Sequence, residues 1–457
     1  MSFIYELPTP GMVNFYHLLT DPTGSRTGQL AAANASRAAM RTTLKECKRS
    51  VGPINWVRVV RALEDYLPHL LGIMKSLEID DLLMPNEVVF SWRSTLSSRR
   101  LKSAPRISLS SFHYELAFVL LTLAFAHSNT AETTIASIGQ YELGSETDRR
   151  AGDEKLTTAV DALCRASGIF DYLSSQTIPN WEASQPEGGR LLRQSRPPEL
   201  SSELTAGLAK VSLADAERLA VRRLLSRSVM EHHTTPGAGL PKSHPSPGLL
   251  AKLQLNIHTL YSGAFDSLSL VISGSGANAE VSGAFRDYLR DGRQFSLGLG
   301  YKWLGIDAGE QSSRYAEAVG WLSLARESLK AVGGGGRTMV VVRNGAIKSE
   351  RARKKGKTEH ELDEVDRFMK AYEQINRTIV VIMKVTFEAV PSSGSLLSRV
   401  PGGRAALSPR AYTLPTALQR DFGSNYTPTS GDIAESDEEE EGGGGVDPQY
   451  ALRDYYY

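Results

Sequence analysis

Cysteine is scarce in this chain: Cys47 and Cys164 are the only two among 457 residues. They stand far apart, which argues against a disulfide framework and points to a reducing compartment. Net charge is nearly absent as well. Lysine and arginine number 52 against 51 acidic residues, a formal charge of +1, so nothing draws the whole chain to nucleic acid or an anionic membrane. No run of about 18 uncharged apolar residues occurs, and no membrane-spanning helix is expected. The opening MSFIYELPTPGMVNFYHLL lacks a basic stretch, an apolar core and a small-residue cleavage site in that order, so no signal peptide is expected. A nuclear or cytosolic setting follows.

Catalytic signatures are missing too. There is no GxSxG elbow, P-loop, HExxH pair or paired-cysteine motif, which weighs against an enzyme and leaves no cofactor or metal to expect. Gly274, Gly276 and Ala279 are spaced like part of a dinucleotide fingerprint, but residues 249–272 before them have helical periodicity. Gly274 therefore reads as a helix end. His232, His233, His244 and His258 form the densest histidine group, without the fixed spacing and Cys or carboxylate partners of a zinc site. An enzyme built on His232, His233 or His244 is kept as an alternative. The basic run 351–357 is followed at once by Glu359, Glu361, Asp363, Glu364 and Asp366, and reads as a solvated helix entry.

What is present is helix. The 41% hydrophobic and 23% charged composition suffices for a sizeable core. Pro8 and Pro10 make the start extended, and residues 87–92 (EVVFSW) form a short β-like run. Residues 36–49 and 54–79 carry apolar residues at intervals of three and four. Residues 111–129 are apolar nearly all round, as in a helix buried on most sides. Helical patterns continue over 155–173, 204–225, 249–272, 285–304 and 315–332, with a last long helix near 359–387. Such a series predicts stacked antiparallel pairs, a solenoid without a strict sequence period. The Pro/Gly-rich stretches 179–202 and 232–247 read as loops, Gly333 to Gly336 as a hinge, and 338–342 as a strand-like patch. Beyond residue 392 the Pro/Ser/Gly-rich and acidic composition predicts a largely disordered tail, 393–457.

Particular residues carry a resemblance. Tyr114 and Glu115 open the apolar helix, a later helix ends in Phe170-Asp171-Tyr172-Leu173, and 213–217 (LADAE), 249–253 (LLAKL) and 263–265 (GAF) follow in order. This resembles the Bro-type domain of Alix and its relatives, over residues 1–392. Further segments, including 91–96, 301–308, 316–322, 391–397, 401–404 and 412–415, are similar to the fungal ambient-pH signalling members of that family. The resemblance implies a boomerang-shaped, mainly α domain with a tetratricopeptide-like core and a small N-terminal β-sheet. It implies a non-enzymatic adaptor binding the C-terminal helix of an ESCRT-III subunit of the Snf7/Vps32 type. PalA-, PalB- or PalF-like signalling proteins would be indirect partners. The implied output is proteolytic activation of the transcription factor PacC at alkaline pH, with recruitment from the cytoplasm to the cell cortex or endosomal membrane. A helical scaffold without a pH-signalling role is the alternative.

Two of the family's hydrophobic contact positions fall at Leu249 and Leu253, and Ile257 continues their line one turn further. A third, aromatic in Alix, falls at Ala220. A stripe of this kind reads either as a core seam or as a docking face for an amphipathic helix. Tyr412 to Pro415 (YTLP) reads as generic tail or as a short ligand for another scaffold.

Overall fold

The computed structural model describes residues 2–50, 52–97, 104–184, 196–234, 240–274, 281–333, 346–383 and 389–418. The extended start is held by a side chain that imitates a strand. The Asn129 carboxamide accepts from the Tyr5 N–H at 2.9 Å and donates to the Tyr5 carbonyl at 2.8 Å. One-turn helix α1 (Phe15–Leu18) leads into α2 (Thr27–Arg49) and α3 (Trp56–Glu78), which pack together. A two-stranded antiparallel sheet follows, β1 (Val89–Arg93) on β2 (Arg106–Ser110), with Trp92 opposite Ile107. Pro10 bridges to Trp92. The second strand, RISLS, alternates polar and apolar residues over only five positions and escaped the sequence reading.

The remaining helices are α4 (Phe112–Ile138), α5 (Glu146–Tyr172), short α6 (Ile178–Ala183), α7 (Ser202–Thr234), α8 (Pro247–Gly274), α9 (Gly283–Glu310), α10 (Tyr315–Lys330), α11 (Ala346–Met383) and α12 (Ser393–Leu397). The long ones, α2 to α5 and α7 to α11, each pack on their neighbours in the chain, so the fold is a stacked array of antiparallel helices. Local chemistry sets several boundaries. Ser111 caps α4 through the His113 N–H, and Ser145 with Asp148 forms a reciprocal capping box that starts α5 nine residues before its apolar pattern does. α6 falls inside the expected loop 179–202, because Trp181 is fully buried beside Tyr114. The patch 338–342 lies outside the described residues.

The expected boundary at 392/393 does not end the packed structure. Leu396 of α12 is buried, and residues 401–418 continue across the helices, with Tyr412 and Leu414 packed against the main core. Composition alone misread this segment: its backbone, more than its side chains, makes the contacts.

Glu115 sits where four elements meet. It accepts from Arg37 Nε of α2 at 2.8 Å, Tyr66 Oη of α3 at 3.2 Å and Trp92 Nε1 of β1 at 2.6 Å. Arg37 also donates to the Gly11 carbonyl. The acid that opens the apolar helix is thus the polar knot of the N-terminal half.

At the other end, buried Lys302 of α9 is clasped by Glu361 and Glu364 of α11. Burial alone would raise the Glu364 carboxyl, but Lys302 outweighs it and holds the group below its ordinary 4.5. A carboxylate depressed in this way adds stability above its unfolded value and loses it as pH falls. Amides of α11 are therefore expected to lose protection, measured against their intrinsic exchange rates, once the pH drops below 4.5, while those of α4 keep theirs; equal behaviour of both helices contradicts this.

Candidate protein-binding face

α8 runs through the middle of the array between α7 and α9. It starts at Pro247, where a missing N–H costs nothing, and its described residues run to Gly274. Its residues are apolar on most sides because neighbours cover most sides: Leu250, Ala251, Leu255 and Tyr261 are all buried. The expected contact stripe divides. Leu253 keeps 7% of its surface exposed and Ile257 none, and both belong to the main core. Leu249 is half-buried. It borders a cleft of about 460 Å³ with Lys252, Leu304, Asp307, Pro401 and Arg404. Ala220 is half-buried on α7. Leu249 and Lys252 thus meet solvent beside the cleft, whereas Ile257 is core.

Residues 401–418 form a strap across this face. The Arg404 N–H donates to the Lys252 carbonyl at 3.0 Å, and Gly403 lies so close to α8 that a Cβ there would stand 2.8 Å from Asn256 Cα. The Ala406 N–H donates to Glu217 of α7, which also accepts from Asn256 Nδ2 at 2.8 Å. Burial pushes the Glu217 carboxyl above its ordinary value, and these donors oppose it only in part. Further on, the Arg410 N–H reaches the Cys164 carbonyl of α5, the Arg410 guanidinium pairs with Asp161, and the Leu418 N–H reaches the Pro68 carbonyl of α3. Tyr412 packs edge-on against Tyr172.

Glycines open the way for these bonds. A helical side chain leans toward the helix N-terminus and covers the carbonyl one turn back. The carbonyls of Cys164 and Pro68 are uncovered because Gly168 and Gly72 stand four residues on. A Cβ on Gly168 would lie 1.7 Å from the Arg410 oxygen, and one on Gly72 would lie 2.2 Å from that of Leu418. Sequence reasoning missed Glu217, Asn256 and both glycines as strap anchors. The available signal was a glycine inside each of two amphipathic helices, which marks close backbone approach.

The histidines do not converge. His244 Nδ1 bonds the Pro245 carbonyl and its ring lies tilted against Trp303, while His258 Nδ1 bonds the Arg293 carbonyl. The side chains of His232 and His233 lie outside the described residues. Among the described residues no group of three His, Cys, Asp or Glu is placed to hold a metal ion, and no helix is long and apolar enough to cross a membrane.

The model of the BRO1-like domain matches residues 28–396. The pH-response regulator protein palC of Cryptococcus neoformans var. neoformans serotype D is 33% identical, covering 90% of this chain and 92% of that protein. The chain belongs to the BRO1-like family, in its palC group. The palC of Emericella nidulans is 23% identical, over 92% of this chain and 90% of its own. The BRO1-like fold is shared with ALIX. In the solved complex of the ALIX BRO1 domain with CHMP4C, that domain is 15% identical, with a TM-score of 0.58 over 92% of this chain and 97% of it.

Proposed function

We propose that this BRO1-like chain is a non-enzymatic adaptor of ambient-pH signalling. It binds the C-terminal amphipathic helix of an ESCRT-III subunit of the Snf7/Vps32 type along α8, with Leu249 as the first anchor and Leu253 beneath it; Ile257 supports the face from the core. Through that partner it is recruited to the cell cortex or endosomal membrane, where it helps assemble the machinery that activates PacC proteolytically at alkaline pH. PalA-, PalB- and PalF-like proteins are reached indirectly.

The observation that carries this reading is the palC relationship over nine-tenths of both chains. The CHMP4C complex of the similarly folded ALIX domain supports the class of partner. The half-buried leucine at the head of a buried helix, beside a cleft bearing Lys252 and Arg404, supports the place. Helix-in-groove recognition needs such an apolar anchor with a polar rim.

The test is a titration of the full chain into a fluorescent C-terminal helix of a Snf7-type subunit. Saturable one-to-one binding, competed by unlabelled helix, is expected. No binding at chain concentrations up to about 1 mM, the weak end of the affinity scale, rules out the partner assignment.

A further inference from the structure

The strap begins at residue 401, beyond the end of the family match at 396, yet it lies on the face of α8 assigned to the partner. Leu249, Lys252, Leu253 and Asn256 recur at intervals of three and four, so they share one side of the helix. On that side Arg404 holds the Lys252 carbonyl, and Gly403 is packed against the backbone of Asn256. A second helix laid along the same residues needs about 8–10 Å between axes, and the strap occupies that space.

The strap is also lightly held. None of its residues is buried: Leu407, Tyr412 and Leu414 are half-buried, and most of the others are exposed. Its grip includes the backbone N–H groups of Arg404, Ala406, Arg410 and Leu418, the exposed Arg410–Asp161 pair, and the partial burial of Leu407, Tyr412 and Leu414. Segments with few buried apolar contacts and solvent-facing hydrogen bonds open at low free-energy cost. Yet the helices are shaped for it. Gly168 and Gly72 interrupt helices that alanine would favour, and at Gly168 the three atoms nearest a Cβ all belong to Arg410 of the strap.

We infer that residues 401–418 are an intramolecular gate: the strap and the partner helix exclude one another on α8, and the partner binds only when the strap lifts. This rests on the reading that the partner docks on α8. The apparent affinity of the chain is then its intrinsic affinity reduced by the fraction of molecules whose strap is lifted.

Gly168→Ala separates the gate from the site. The substitution favours the α5 helix, lies away from the partner face on α8, and evicts the strap. Two readouts are taken on full-length chains: amide exchange at Arg404, Ala406, Arg410 and Leu418, and affinity for the Snf7-type helix peptide. In the variant these amides are expected to lose protection, and the peptide to bind about tenfold more tightly. Saturating wild-type chain with peptide is expected to expose the same amides. Exchange that accelerates without a change in affinity overturns the gate, as does a peptide-saturated wild-type chain whose strap stays protected. Gly72→Ala, at the far end of the strap, repeats the test should Gly168→Ala fail to fold. If the peptide binds neither form while the strap amides respond to Gly168→Ala, the partner assignment fails and the gate falls with it.

Discussion

Leu249→Asp is expected to weaken capture of the partner helix about thirtyfold or more and to leave the fold intact. Leu249 is the third residue of α8 and half-buried at the mouth of the cleft. A carboxylate there stays in contact with water, and an acid in the first helical turn interacts favourably with the helix dipole. The free protein is therefore expected to keep its urea midpoint and helical circular dichroism. The bound state instead loses a central apolar anchor, worth about 2 kcal/mol or more, or roughly thirtyfold in Kd. Leu253→Asp and Ile257→Asp behave differently. Both positions are in the core, so an unpaired carboxylate there destabilises by several kcal/mol, as buried unpaired charges do. Loss of binding in those variants, accompanied by a lower urea midpoint, says nothing about contact. Binding by Leu249→Asp within threefold of wild type removes Leu249 from the interface.

Glu115→Ala is expected to cost about 3–5 kcal/mol, the usual penalty for stranding one member of a buried ion pair. Arg37 keeps 2% of its side chain exposed and Glu115 none. Removing the carboxylate leaves the guanidinium without its counter-ion and leaves Tyr66 and Trp92 without their acceptor. The loss spreads over α2, α3, β1 and α4 at once because all four meet on this group. Urea denaturation reads the effect as a lower midpoint with little change of slope. Arg37→Met combined with Glu115→Leu is expected to be less damaging than Glu115→Leu alone, since the charge is then absent from both sides. A Glu115→Ala midpoint equal to wild type contradicts this account of the knot.

The sequence made some of this legible and hid the rest for physical reasons. The uniformly apolar stretch after Ser111 could only be a helix covered on all sides, and α4 is that helix. The Tyr114–Glu115 pair could be singled out by resemblance, but its role could not. The partners Arg37, Tyr66 and Trp92 lie 78, 49 and 23 residues from Glu115, and no local pattern links them. The stripe 249, 253, 257 was visible as a face of a helix. Whether that face met solvent depended on α7, α9 and the core, which periodicity does not report. The strap was least visible of all. Its apolar residues follow no helical or strand period, it buries little, and most of its bonds are made by backbone N–H groups that every residue but proline carries. What it did leave in the sequence was on other helices, at Gly72 and Gly168.

The proposed function places the partner helix on the strap-bearing side of α8. A photocrosslinking amino acid in place of Lys252 tests it most directly. Lys252 is exposed and stands between Leu249 and Asn256 on that side. In full-length chain mixed with the Snf7-type helix and irradiated, position 252 is expected to crosslink to the helix, with lower yield from a control at Lys75, exposed at the end of α3. A helix that binds but crosslinks from Lys75 and not from 252 contradicts the account.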